Sequence, residues 1–306
     1  MQFIHLAFIF FLQIVVIADT TKNLEEVKSA EPKSETQEFQ KIIIPELPDS
    51  LSFAGEKVPL DDNDIRERLE RELIGNCYKH SSTLIILKRE GKWKARIQEI
   101  LKEQGVPEDF FYLAVAESEL DEYALSSAKA LGFWQFLAGT AKDFGMEVND
   151  FVDQRKDPIA STYAACKYLK TAYEKYGKRW TLAAASYNRG MNGLQRAMES
   201  QKVDSYYDLY LNRETYRYVL RILSLKIIME NPARYGFQIS EEQRWRTVPT
   251  KRVWIDSTVK DLPLLAKQFG VTYKTLKIHN PWLDSDEYKL VVPQGKGYWF
   301  EIPKKK

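Results

Sequence analysis

Between Asp61 and Tyr235 the chain carries one helix start or stop signal after another. Nowhere in that interval does it alternate apolar and polar residues for long enough to make a strand. This pattern rules out a sheet-based core for most of the chain and predicts an all-α domain over residues 61–235. Trp93, Ile97, Ile100 and Leu101 recur at helical spacing. Gly105 and Pro107 end that helix and open the next, whose first turn carries Glu108 and Asp109. Asp157-Pro158 is a cap followed by a first-turn proline, with Ile159, Tyr163, Cys166 and Tyr173 on one face and Gly177 as the stop. Further helices are predicted from Thr181 to about Ser186 and from about Arg213 to Glu230, where Asn231-Pro232 ends the last one.

After Tyr235 the pattern changes. Lys251 to Ile255 reads as a strand, and Asp261 caps a helix whose Leu262, Leu265, Ala266 and Phe269 share a face. Thr272 starts a second short helix that stops at Asn280-Pro281, and Tyr298 to Ile302 is a closing strand. This βααβ order predicts a separate small module over residues 236–306. At the other end, Phe3 to Ala18 is apolar except for His5 and Gln13, and Val16-Ile17-Ala18 offers small residues for cleavage. Residues 1–18 therefore read as a secretory signal. If retained, the same segment is an anchor that would hold the chain at a membrane. Residues 19–60 are first charged and polar, then punctuated by Pro45, Pro48 and Pro59, which predicts a flexible linker.

The 45 basic and 43 acidic residues are mixed along the chain, so no electrostatic footprint for nucleic acid appears. Two cysteines and three histidines leave no ligand set for a metal cluster, and no cofactor is expected. Export would make a Cys77–Cys166 disulfide feasible, with two buried thiols as the alternative. One acidic residue stands out. Glu117 ends the apolar run Phe110 to Ala116 and is followed by Ser118, with Gly-Phe-Trp-Gln-Phe at 132–136 close behind. Poor solvation of a carboxyl disfavours its charged form, which keeps it protonated near neutral pH and able to act as a general acid. A solvated or salt-bridged glutamate at a helix end is the ordinary alternative.

Five segments in order resemble the lytic murein transglycosylases of the goose-lysozyme-like superfamily, in particular the membrane-bound lytic transglycosylase D group. They are Ala116-Glu117-Ser118 with Ser126, Gly132 to Phe136 with Thr140-Ala141, Asp153 to Asp157 with Ser161-Thr162, Ala185 to Gly190, and Arg213 to Val219. The resemblance implies a mainly α fold, with a lysozyme-like helical catalytic domain followed by the small module. It also implies that Glu117 is the single catalytic acid and then base. Ser118 belongs to its motif, Ser126 and Gln135 would line the cleft, and Gly132 would sit where the chain passes close to the glycan. Tyr187 and Asn188 form the Tyr-Asn motif beside the acid, and Glu214 and Tyr218 complete the far wall. Glu122, Lys129 and Ala138 depart from the family's usual residues, which bears on loop shape.

The module resembles a divergent LysM domain through Phe269 to Leu276 and Asn280-Pro281, although Asp256 to Val259 replaces the usual opening turn. That resemblance implies binding of N-acetylglucosamine-containing glycan, with a structural or interdomain role as the alternative. The expected partner is the glycan strand of peptidoglycan, and the expected location is the periplasm or cell envelope. The product implied is a 1,6-anhydromuramyl end formed without water. Two other readings stay open. One is a lysozyme-type hydrolase using Asp121, which lies one turn beyond Glu117 if the helix continues; the other is an inactive wall-binding protein.

Overall fold

The computed structural model describes residues 42–284 and 286–304. The segment read as a signal or anchor, and the polar stretch behind it to Lys41, lie outside the described residues. The described residues from Ile44 onward form one compact unit. It begins with a hairpin of β1 (Ser52–Phe53) and β2 (Glu56–Lys57), joined through Ala54-Gly55, both at positive φ (52° and 83°), as a two-residue hairpin turn requires. Leu47, Phe53, Val58 and Leu60 are buried in the same core as the helices that follow. The stretch expected as a linker is thus irregular in backbone but packed from Leu47 onward. A few apolar side chains between prolines suffice, and no periodicity announces them.

α1 (Asn63–Tyr78) is capped by Asp62, and α2 (His80–Glu103) follows after Lys79 alone. A 3-10 turn over Glu108–Phe110 leads into α3 (Phe111–Ser118). Next come α4 (Ala138–Asp143), α5 (Pro158–Lys175), α6 (Trp180–Arg189), α7 (Met191–Gln201) and α8 (Arg213–Glu230). α8 is the central post: from Tyr218 to Met229 every residue except Arg221 is buried, and α1, α3 and α6 all pack on it. A helix that is apolar nearly all round must be surrounded in this way.

Asp157 caps α5 as expected, accepting from the backbone N–H groups of Ile159 and Ala160 at 2.8 and 3.1 Å. The core face of α5 is carried by Ser161, Thr162, Ala165, Cys166, Leu169 and Ala172, whereas Ile159, Tyr163 and Tyr173 are only half-buried. Small residues on that face let α6 approach. α6 itself runs past Ser186 to Arg189, ended by Gly190 at φ 77°. α4 and α7 have no counterpart in the sequence reading, because each buries a single residue, Ala141 and Leu194. Cys77 and Cys166 are free and buried, so the disulfide is absent. Burial pushes the two thiols up to about 11 and about 12.

Residues 237–246 belong to the helical part rather than to the module. Phe237 lies in the main core, the Trp245 N–H donates to the Lys88 carbonyl at 2.9 Å, and Arg244 pairs with buried Glu90. Gly91 makes room for this crossing, since a Cβ there would fall 2.7 Å from Cβ of Arg244. The module proper is β3 (Thr250–Ile255), α9 (Leu262–Gln268), α10 (Tyr273–His279) and β4 (Tyr298–Pro303), with the strands antiparallel and Val253 opposite Phe300. Buried Asn280 joins α10 to β4: its Nδ2 donates to the carbonyls of Leu276 and Glu301, and its Oδ1 accepts from the Glu301 N–H. The module's core also contains Val152 of the helical part. Asp153 N–H donates to the Trp282 carbonyl at 2.8 Å, Asp284 N–H to the Phe151 carbonyl at 2.9 Å, and the Tyr298 hydroxyl to Glu147 at 3.0 Å. Among the described residues, no helix is long and apolar enough to cross a membrane.

Asp109 fastens the hairpin to the helices. Its Oδ2 accepts from the Ala54 N–H and from Nζ of buried Lys226, both at 2.7 Å. Asp109→Ala is expected to cost about 2 kcal/mol by taking from buried Lys226 its nearer carboxylate, with Glu230 at 3.9 Å and the Ser52 carbonyl at 3.0 Å remaining, read as a lower urea midpoint at unchanged slope.

Candidate active site

α3 is almost entirely buried, from Phe111 to Val115, so only its last turn reaches solvent, and Glu117 lies there. The helix stops at Ser118. Glu119 and Leu120 both turn left-handed, at φ 53° and 58°, with the Glu119 N–H closing on the Val115 carbonyl at 2.8 Å. The hydroxyl of Tyr218, on the facing side of α8, donates to Oε1 of Glu117. Burial pushes the Glu117 carboxyl up to about 7. The Tyr218 hydrogen bond and the charge of Arg221 hold it down against that push, and Glu214 adds to the rise. Burial, with Glu117 beside it, raises the Tyr218 phenol well above its ordinary range.

A tight loop follows in the chain, built by bridges of Leu131 to Leu125 and to Phe136. The Ser126 hydroxyl accepts from the Ala130 N–H at 3.0 Å and so closes the turn that carries it. Trp134 is the loop's root: it is fully buried and its indole N–H donates to Thr162 at 2.8 Å. Gln135 is left-handed at φ 48°, and its Nε2 donates to the carbonyls of Ala124 and Gly132 at 2.8 and 2.9 Å. The amide oxygen is what it can offer a ligand. Tyr187 ties this loop to the acid. Its hydroxyl donates to the Trp134 carbonyl at 2.8 Å, its ring packs edge-on to Tyr168 and Phe136, and it is close enough to Glu117 for the carboxylate to raise its phenol further above the level set by burial.

The other expected site residues have different neighbours. Ser118 is buried and its hydroxyl donates back to the Ala114 carbonyl at 3.1 Å, so it finishes the helix. Asn188 Oδ1 accepts from the Thr215 hydroxyl at 2.8 Å, which pins α6 to α8. Gly132, expected beside the ligand, seats the loop on another segment: it has φ 79°, and a Cβ would lie 1.9 Å from the Arg155 carbonyl oxygen. Glu214 is exposed and pairs with Arg221 at 3.1 Å. Asp121 does not continue the Glu117 face, because the helix has ended; it accepts from Arg89 at 2.8 Å and from the Tyr123 N–H at 2.9 Å.

Two residues went unassigned in the sequence reading. Arg221, which also faces buried Glu72 at 3.7 Å, was legible as the residue one turn past Tyr218. Arg155 sat inside a family-like stretch with no role attached. A cavity of about 340 Å³ opens beside Ala116 and Glu119, walled by Glu72, Lys79, Arg217 and Arg221, and Glu117 is not part of its wall. Among the described residues no group of three or more histidine, cysteine, aspartate or glutamate side chains is placed to hold a metal ion.

Residues 95–209 match the Transglycosylase SLT domain, and residues 251–306 match the Soluble lytic transglycosylase C-terminal LysM-like domain. The chain is similar to "Membrane-bound lytic murein transglycosylase D" of Escherichia coli (strain K12), 28% identical over 84% of this chain and 56% of that protein, so it spans little more than half the relative's length. It is also similar to a "Putative tributyltin chloride resistance protein" of Alteromonas sp. (strain M-1), 28% identical over 33% of this chain and 49% of that one. Among solved structures, an inactive mutant of Lytic Transglycosylase Slt from Pseudomonas aeruginosa aligns with a TM-score of 0.37 and 18% identity, covering 50% of this chain and 26% of that chain.

The raised Glu117 carboxyl makes a stability prediction with a definite sign. Below its ordinary value of 4.5 the group is protonated in both folded and unfolded chains. Its stabilising contribution is lost as pH rises through about 7, because the unfolded chain gives up the proton more readily. Glu117→Gln, a neutral near-isostere, should match the wild type in urea midpoint at pH 4. At pH 8 it should be the more stable by on the order of 2 kcal/mol, a figure reduced for the carboxyl's partial exposure.

Proposed function

We propose that this chain, a Transglycosylase SLT domain followed by a LysM-like domain, is an exported lytic murein transglycosylase of the cell envelope that cleaves the MurNAc-β-1,4-GlcNAc bond. The observation that carries the reading is a carboxyl, Glu117, pushed up to about 7 by burial while a phenol donates to it. Such a group is poised both to give and to take a proton at neutral pH. Protonated Glu117 donates to the leaving glycosidic oxygen as the acetamido group of the substrate assists departure. The carboxylate left behind is stabilised by the Tyr218 hydroxyl and the nearby Arg221 charge. It then removes the proton of the muramyl 6-hydroxyl, whose oxygen closes on the anomeric carbon. Glu117 is protonated again, no water is consumed, and the product carries a 1,6-anhydromuramyl end.

Ser126 and Gln135 are the polar groups of the facing loop, and Gln135 Oε1 is its natural acceptor for a sugar hydroxyl or N-acetyl N–H. Hydrolysis would need a second carboxylate across the bond. Asp121 is poorly suited to that part, being paired with Arg89 beyond the end of the helix. The LysM-like module would add a hold on N-acetylglucosamine along the same strand. Membrane attachment would depend on residues 3–18.

Digestion of purified sacculi followed by mass spectrometry tests the reading. The wild type should release muropeptides one water lighter than those with reducing ends. Glu117→Gln should lower release by at least about a hundredfold while keeping its circular dichroism spectrum. Reducing-end products, or undiminished release by the variant, would overturn the mechanism.

A further inference from the structure

We propose that Asp153 and Arg155 form a positioning element through which the docked C-terminal module holds the Gln135 loop in its working conformation. On this view the module acts on turnover as well as on attachment to glycan. The inference rests on the transglycosylase reading of Glu117 for its kinetic consequence, but not for its structural one.

Residues 151–155 have one end in each half of the molecule. Phe151 packs against the module's core and Val152 is fully buried within it, while the Asp153 N–H donates to the Trp282 carbonyl at 2.8 Å. The Asp153 carboxylate then grips Arg155 with both oxygens, Nε to Oδ1 at 2.9 Å and Nη2 to Oδ2 at 2.6 Å, and both side chains are nearly dry, at 4% and 11% exposure. What remains of the guanidinium reaches the loop. Nη1 donates to the Lys129 carbonyl at 3.1 Å and to the Phe136 carbonyl at 3.3 Å, one contact on each side of Gly132 and Gln135. The Arg155 carbonyl oxygen forms the floor under Gly132, close enough that no Cβ fits between them.

The loop needs such a hold. Gln135 keeps a left-handed backbone that a non-glycine residue adopts only when its surroundings enforce it. The module side adds two further ties to the same segment, Asp284 to Lys156 and the Tyr298 hydroxyl to Glu147. Lysine cannot replace Arg155, because a point charge cannot serve a carboxylate and two carbonyls in fixed directions.

A module that only tethers the enzyme would change the apparent affinity for long strands and leave the chemistry alone. A module that positions the loop changes kcat even on a glycan too short to reach it. The test uses the full chain with a short, peptide-free murein oligosaccharide, and compares Arg155→Lys with the module-side pair Asp284→Ala/Tyr298→Phe. Arg155→Lys should lower kcat by about tenfold or more with little change in KM. The module-side pair should lower kcat in the same way by a smaller factor, and combining all three changes should do less than the product of the separate effects.

Hydrogen exchange supplies a readout independent of activity: the amides of Leu131 and Gln135 should lose protection in both variants while those of α8 keep theirs. Should Arg155→Lys fail to fold, the module-side pair carries the test alone. Wild-type kcat together with wild-type loop protection in that pair would overturn the proposal. If the wild-type protein leaves the oligosaccharide uncut, the transglycosylase reading falls, and the exchange data still decide the coupling.

Discussion

The burial of α8 is the constraint from which the site follows. A helix buried along its central stretch leaves its neighbours no choice but to close around it, and each neighbour delivers its contacts at fixed heights on the post. α3 brings Glu117 to Tyr218, α6 brings Asn188 to Thr215, and α1 brings Glu72 to Arg217 and Arg221. A change in the register of α8 would break all of these together. The acid is therefore placed by packing that has no chemical role of its own.

The electrostatics around Glu117 are a compromise between opposing demands. Burial alone would drive the carboxyl far up, so that it held its proton too tightly to serve as an acid near neutral pH. The Tyr218 donor and the Arg221 charge pull in the other direction, and Glu214 pairs with Arg221 and weakens that pull. A carboxyl held between these extremes can both give and take a proton near neutral pH. Tyr187 is set apart by its direction: its hydroxyl points at the loop backbone, so it braces the opposite wall while its ring remains beside the acid.

Sequence reading reached furthest where local chemistry decides the structure. The Asp157-Pro158 cap, the Gly105-Pro107 break, the βααβ order of the module and the unusual setting of Glu117 all follow from residues adjacent in the chain. It fell short where the deciding partner lies far away in sequence. α4 and α7 are too sparingly buried to leave a periodic trace. The end of α3 is set by two non-glycine residues in left-handed geometry, which no turn signature marks, and with it went the geometric case for Asp121. Gly132 meets the Arg155 carbonyl, a neighbour that only the tertiary fold reveals. Leu47 to Leu60 looked like linker because proline and polar residues dominate there, and four apolar side chains were enough to bind it to the core.

The two thiols carry a consequence for how the folded chain meets oxidants. Cys77 and Cys166 sit on different helices, buried and held so far up that almost no thiolate exists at neutral pH. Exchange with glutathione or with a disulfide oxidant requires that thiolate and a route to it. In the folded state neither thiol is therefore readily available to form a mixed disulfide.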